Sequence, residues 1–131
     1  MMRYLALSMI APLAACSTIP AGPIVDSQYE TAQQGSAVGF NRPVWVGSIV
    51  VTPMRLVEDS RCPINARCVW PGQAVLEARI DGDGWRQTDR LTLGEPHEVY
   101  NKTLVLVSVE PGTLAGQTVD PAAYRFAFEE R

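Results

Sequence analysis

The stretch QAVLEARIDGDGWRQTDRLTL, residues 73–93, decides the fold class. Ala74, Leu76, Ala78 and Ile80 share one parity, while Gln73, Glu77 and Arg79 take the other. Such alternation marks a strand with one face in a core and one in water; a helix would need sustained apolar spacings of three and four. Asp81-Gly82-Asp83-Gly84 follows. Glycine reaches positive φ at little cost and aspartate caps its own backbone, so these four residues predict a hairpin connection. The chain then returns with Trp85, Leu91 and Leu93 on one parity against Arg86, Thr88, Arg90 and Thr92.

The same pattern recurs on both sides. Across residues 44–51, Val44, Val46, Ser48 and Val50 oppose Trp45, Ile49 and Val51, which predicts one strand at least partly covered on both faces. Pro53 has no amide hydrogen and should mark a bulge, an edge or a break before residues 54–57 resume the strand. Leu93-Gly94-Glu95-Pro96 reads as a turn, and residues 97–100 and 103–109 as a hairpin around Asn101-Lys102. Pro111-Gly112 opens a long loop, with at most one helical turn after Asp120-Pro121. Tyr124, Phe126 and Phe128 alternate with Arg125 and Ala127, a last strand with an aromatic inner face. Six or seven short strands in 131 residues predict a single all-β domain, an antiparallel Ig-like β-sandwich or a small barrel.

The N-terminus carries a different signal. Residues 1–15, MMRYLALSMIAPLAA, place one charge, Arg3, ahead of an apolar run that is too short to span a bilayer. That is the layout of a secretory signal peptide. The run ends in Leu13-Ala14-Ala15-Cys16, which resembles the lipobox of bacterial lipoproteins. The resemblance implies cleavage before Cys16, a diacylglyceryl group on its thiol, and two or three chains in all, enough for stable membrane anchoring. Ser17, in place of the aspartate that retains lipoproteins at the inner membrane of enteric bacteria, implies outer-membrane sorting facing the periplasm. Residues 17–36 mix Pro, Gly, Ser, Thr and Gln without periodicity and predict a flexible linker, with an extra edge strand over 24–29 as the alternative. The expected organisation is a leader at 1–15, a lipidated N-terminus and linker at 16–36, and the sandwich at 37–131.

Charge and composition exclude several functions. With 11 basic and 14 acidic residues the chain has no basic stripe for nucleic acid. One histidine, His97, gives too few ligands for a metal cage, and no cofactor motif is present. The Gly-x-Ser-x-Gly and Ser-x-x-Lys nucleophile motifs are missing. His97, beside Glu98, reads as an exposed strand-end side chain. Asp81 and Asp83 lack the downstream glutamate of a calcium loop and read as a turn.

Cys62 and Cys68 bracket Pro63-Ile64-Asn65-Ala66-Arg67, and in an oxidising compartment so close a pair should form a disulfide. Two accounts of this loop compete. In the first it is structural: the bridge staples two strands, Trp70 packs over sulfur and core, Gly72 permits a bulge, and Asp59 and Arg61 pair or cap. In the second the stapled loop presents Arg61, Ile64, Asn65, Arg67 and Trp70 to a partner, because a pre-ordered loop loses less entropy on docking and Arg and Trp are favoured anchors. A redox-active pair and a zinc site fit less well, since the spacing is not Cys-x-x-Cys and ligands are too few.

The segments Asp59-Ser60-Arg61-Cys62-Pro63 and Cys68-Val69-Trp70-Pro71-Gly72 resemble a pattern, DSRCP followed by C-x-W-x-G, of an uncharacterised family of bacterial secreted proteins and lipoproteins. Pro71 stands where that pattern has alanine. The resemblance runs loosely from residue 44 to 128 and supports the fold and the export route without implying an activity. The expected function is thus a non-enzymatic, lipid-anchored, periplasm-facing binding or envelope-accessory module with a possible envelope protein partner. The alternative is an inhibitor or ligand trap for a periplasmic enzyme that acts through the 62–68 loop. An enzyme would have to use His97 or a hidden acid pair.

Overall fold

The computed structural model describes Gly22 and residues 28–131. The expected leader, Cys16, and linker residues 17–21 and 23–27 lie outside the described residues. Seven strands follow one another: β1 (Val44–Val46), β2 (Ile49–Asp59), β3 (Ala74–Gly82), β4 (Trp85–Thr92), β5 (Pro96–Val99), β6 (Lys102–Glu110) and β7 (Arg125–Glu130). A short 3₁₀ turn, Pro121–Ala123, precedes β7, and the Asp120 carboxylate caps it by accepting from the Ala122 amide at 2.9 Å. The strands make two antiparallel sheets, β1-β2-β3-β4 and β5-β6-β7. The chain is an all-β sandwich, and neither sheet closes into a barrel.

Period-2 alternation explains the core. Val44 and Val46, Ile49 and Val51, Leu76, Ala78 and Ile80, and Leu91 point inward from the first sheet. Val99, Leu104, Leu106, Phe126 and Phe128 meet them from the second. Phe40 fills one end, with ring centroids 5.0 Å from Phe126 and 5.9 Å from Tyr124.

Residues 44–51 do not form one strand. Gly47, at φ +59°, turns the chain with Ser48, and Val46 pairs with Ile49 across that turn. The turn resets the parity, so Val44 and Val46 share the inner face with Ile49 and Val51. The apolar run is two strands with their inner faces read head to tail. Pro53 sits at a register shift between Pro53 and Arg55, the expected bulge, and β2 continues through it to Asp59.

The expected linker ends before residue 36. Ala32 bridges Val44 in parallel; its amide donates to the Pro43 carbonyl at 2.8 Å and its carbonyl accepts from Trp45 at 3.0 Å. Gln34 Oε1 accepts from the Gly47 amide at 3.1 Å. These bonds satisfy the outer edge of β1, which would otherwise leave backbone groups unpaired. On the second sheet, Val38 and Phe126 exchange two backbone hydrogen bonds of 2.8 and 2.9 Å.

The hairpin connections are tighter than four residues. Strand β3 runs to Gly82, leaving Asp83-Gly84 as the turn. Asp81 is therefore a strand residue. Its carboxylate is fully buried, accepts from Arg86 Nε and lies 3.4 Å from Arg79 Nε. Gly82 is needed because the Trp85 ring crosses it; a Cβ there would fall 2.0 Å from the indole. In the β5–β6 hairpin the turn is Tyr100-Asn101, one residue earlier than expected, with Tyr100 at φ +54° and its ring 4.3 Å from that of Trp85.

Candidate functional site

The β2–β3 hairpin does not stop where its strands do. The Ser60 amide donates to the Gln73 carbonyl at 2.8 Å, the Gln73 amide to Ser60 Oγ at 3.1 Å, and the Cys62 amide to the Pro71 carbonyl at 2.9 Å. Glycine is required at 72, where φ is +68° and a Cβ would lie 1.7 Å from the Ser60 carbonyl oxygen. Above this closure the Cys62–Cys68 disulfide, with Cα atoms 5.8 Å apart, staples the tip. Pre-closing a loop between residues six apart contributes roughly 2 kcal/mol on the chain-entropy model. Cys62→Ala should therefore lower the unfolding free energy by about 2–3 kcal/mol. A urea midpoint that reductant leaves unmoved in the wild-type chain would contradict this.

A polar clamp braces the base of the loop. Arg61 Nε and Nη2 donate to Asp59 Oδ1 and Oδ2 at 2.7 and 2.9 Å, a bidentate pair. Its Nη1 reaches the Val109 carbonyl at 2.7 Å and Nη2 also reaches that of Pro111 at 3.0 Å. Tyr124 Oη donates to Asp59 Oδ2 at 2.9 Å. One arginine thus ties the end of β2 to the end of β6, and one tyrosine adds the start of β7. The pair is largely withdrawn from water, with side-chain exposures of 15% for Arg61 and 11% for Asp59.

Burial pushes the Asp59 carboxyl up, but the Arg61 and Tyr124 hydrogen bonds and the Arg61 charge outweigh it and hold the group below the usual carboxylate range. The hydrogen bond to Asp59 holds the Arg61 guanidinium more firmly protonated, against the opposing effect of burial. Burial, then the bond to Asp59, pushes the Tyr124 phenol up.

The β6–β7 connection locks onto the tip. The Ile64 amide donates to the Thr113 carbonyl at 2.9 Å, Thr113 Oγ1 to the Arg61 carbonyl at 3.2 Å, and the Ala115 amide to Asn65 Oδ1 at 2.9 Å. Arg61 and Asn65, read as candidate contacts for a partner, thus bond this chain, Arg61 withdrawn from water and Asn65 at the surface. Ile64, Arg67 and Trp70 remain at the surface. Trp70 does not pack over sulfur and core; it is 80% exposed because the Cys62–Pro71 bond turns residues 69–70 outward, with Val69 95% and Ile64 76% exposed in the same loop. Arg67 is exposed and has no hydrogen-bond or ion-pair partner among the described residues.

Beside this end lies an open cleft of about 640 Å³ lined by Tyr29, Glu30, Phe40, Arg42, Pro121 and Arg125 among others, where the Arg42 guanidinium stacks 3.9 Å over the Tyr29 ring. On the seam between the sheets His97 is half-buried instead of exposed, its Nε2 3.0 Å from Asp89 Oδ2, so that β5 is tied to β4.

Sequence reasoning missed Val69, the Tyr124–Asp59 bond and the His97–Asp89 pair. Val69 had a signal, since it lies outside the alternating runs beside a disulfide cysteine. The two long-range pairs had none, because alternation identifies inner faces and leaves partners across sheets unspecified. The site is thus a disulfide-stapled, apolar-tipped loop at one end of a two-sheet β-sandwich. No protein-family model, curated protein or solved structure matches the chain.

Proposed function

We propose that this chain is a non-enzymatic envelope module, exported, acylated at Cys16 and held on the periplasmic side of a bacterial membrane, where it works by binding through its stapled loop. The observation that carries the binding part is a loop end fully braced from within that still turns Ile64, Val69 and Trp70 to water. Singly exposed apolar side chains are ordinary, but several large ones held at one rigid loop mark an interaction site. The lipobox Leu13-Ala14-Ala15-Cys16 and the resemblance of residues 59–63 and 68–72 to a secreted family support the export part. Ser17, where enteric bacteria use an aspartate to retain lipoproteins at the inner membrane, supports outer-membrane placement.

The inhibitor reading uses the same loop and relies on Ile64, Arg67, Val69 and Trp70, since the Arg61 guanidinium is engaged within the chain. The test of the anchor is the N-terminal peptide of protein extracted from the envelope. It should begin at Cys16 with a mass increase of two or three acyl chains, and Cys16→Ala should lose both cleavage and acylation. An unmodified leader on soluble protein would refute the anchor.

A further inference from the structure

We infer that the occupant of the loop tip is the lipid bilayer itself: Val69, Trp70 and Ile64 enter the headgroup–acyl boundary of the membrane that holds the anchor, with Arg67 at the level of the phosphates. This rests on the reading of Cys16 as the anchor and adds an orientation to it. Three independent observations converge.

The first is the exposed tip. Val69, Trp70 and Ile64 are the three most exposed large apolar residues among the described residues, and the disulfide, the Arg61 clamp and the Ile64–Thr113 bond prevent the tip from folding back on the sandwich. Tryptophan is a side chain that prefers the membrane–water boundary, where its ring is in hydrocarbon and its N–H meets polar groups.

The second is charge. The chain has 14 acidic residues, yet residues 60–73 and 111–119, which make this end, contain none. Of the acidic residues at its border, Asp59 is held by Arg61 and Tyr124, Glu58 by Ser60 and Gln73, and Asp120 by the Ala122 amide, while Glu110 stands exposed at the end of β6. With Arg61 neutralised, Arg67 is the free charge of the tip. The tip itself is thus apolar, free of carboxylates and topped by Arg67, which suits an anionic lipid surface that repels carboxylates and attracts arginine.

The third is direction. Tyr29 and Glu30 share their cleft with Pro121 and Ala122 of the β6–β7 connection, so the chain leading from Cys16 joins the sandwich at the same end as the tip. Twelve residues lie between Cys16 and Tyr29. Anchor and tip can therefore reach one membrane surface together, the tip orienting a domain that the acyl chains hold.

The test reads the depth of Trp70. The acylated full chain is extracted from the envelope and reconstituted into phosphatidylethanolamine–phosphatidylglycerol vesicles with and without brominated acyl chains. Tryptophan emission should shift to the blue on reconstitution and be quenched by the brominated lipid. Trp70→Phe should remove most of that quenching, and Val69→Glu should abolish it while leaving the disulfide and the β-sheet circular dichroism unchanged. The Cys16→Ala chain, added to the same vesicles at high lipid, should show the same Trp70 quenching with weaker binding. Trp70 emission that stays at its aqueous wavelength in vesicle-bound, acylated protein overturns the docking and leaves the anchor standing. An unacylated N-terminus overturns the anchor, and Trp70 quenching in that material still decides the docking. Photo-crosslinking from position 70 in the envelope that yields one protein adduct and no lipid adduct also overturns the docking, in favour of a protein partner.

Discussion

Arg61→Ala is expected to lower the unfolding free energy by about 3 kcal/mol, because it leaves the withdrawn Asp59 carboxylate with one partner and two carbonyls, those of Val109 and Pro111, without a donor. The loss should be read from chemical unfolding of the full chain and should exceed that of Arg55→Ala. Arg55 is also paired at 2.8 Å, with Glu77, but its side chain is 61% exposed, and an exposed pair contributes little.

The clamp also makes stability depend on pH, with a definite sign. The Asp59 carboxyl is held below its ordinary value in the folded chain. Its contribution is therefore complete above the ordinary carboxylate range and is lost as pH falls through the lower folded value. Tyr124 has the opposite sense: its phenol is pushed up, so its contribution is complete below the ordinary phenol range and is lost as pH rises through the folded value. The melting temperature should fall below a pH of about 4. Asp59→Asn should start lower and fall less steeply across that window; parallel acid limbs would assign the effect to other carboxylates.

Phe126→Ala should have the largest effect, about 4 kcal/mol. The ring is fully buried, contacts Phe40 at 5.0 Å and stacks with Tyr124 at 5.8 Å, so no single neighbour can move to fill the void. Domains of this size are stable by only about 5–15 kcal/mol, so the variant should be partly unfolded at modest urea. Phe128→Leu, which conserves most of its volume at a site on the same face, should remain folded with a loss of about 1 kcal/mol. Equal losses would mean that the centre of the core lies elsewhere.

Much of the architecture was legible along the chain because alternation is a local property. Ala74, Leu76, Ala78 and Ile80, and likewise Phe126 and Phe128, sit on the predicted inner faces. Errors arose where local chemistry had two solutions. Gly47-Ser48 is a turn within an unbroken apolar run, and only the pairing of Val46 with Ile49 distinguishes it from a strand interior. Asp81 has turn composition, but Arg86 opposite makes it a strand residue. The loop was legible in its bridge and its glycine and illegible in its outcome. Arg61 and Trp70 exchange the roles that residue type suggests, the charged one drawn inward by Asp59 and two distant carbonyls, the aromatic one turned out by the Cys62–Pro71 bond.

Within each sheet, every strand pairs with its neighbours in chain order. Such a meander needs only short loop closures, and each hairpin can zip onto the one before it. A polypeptide delivered N-terminus first can complete the four-stranded layer before residues 96–131 arrive. The Val38–Phe126 bridge is the late stitch, joining one of the earliest segments delivered to one of the last. This connectivity suits a domain that assembles progressively as it emerges from a narrow channel.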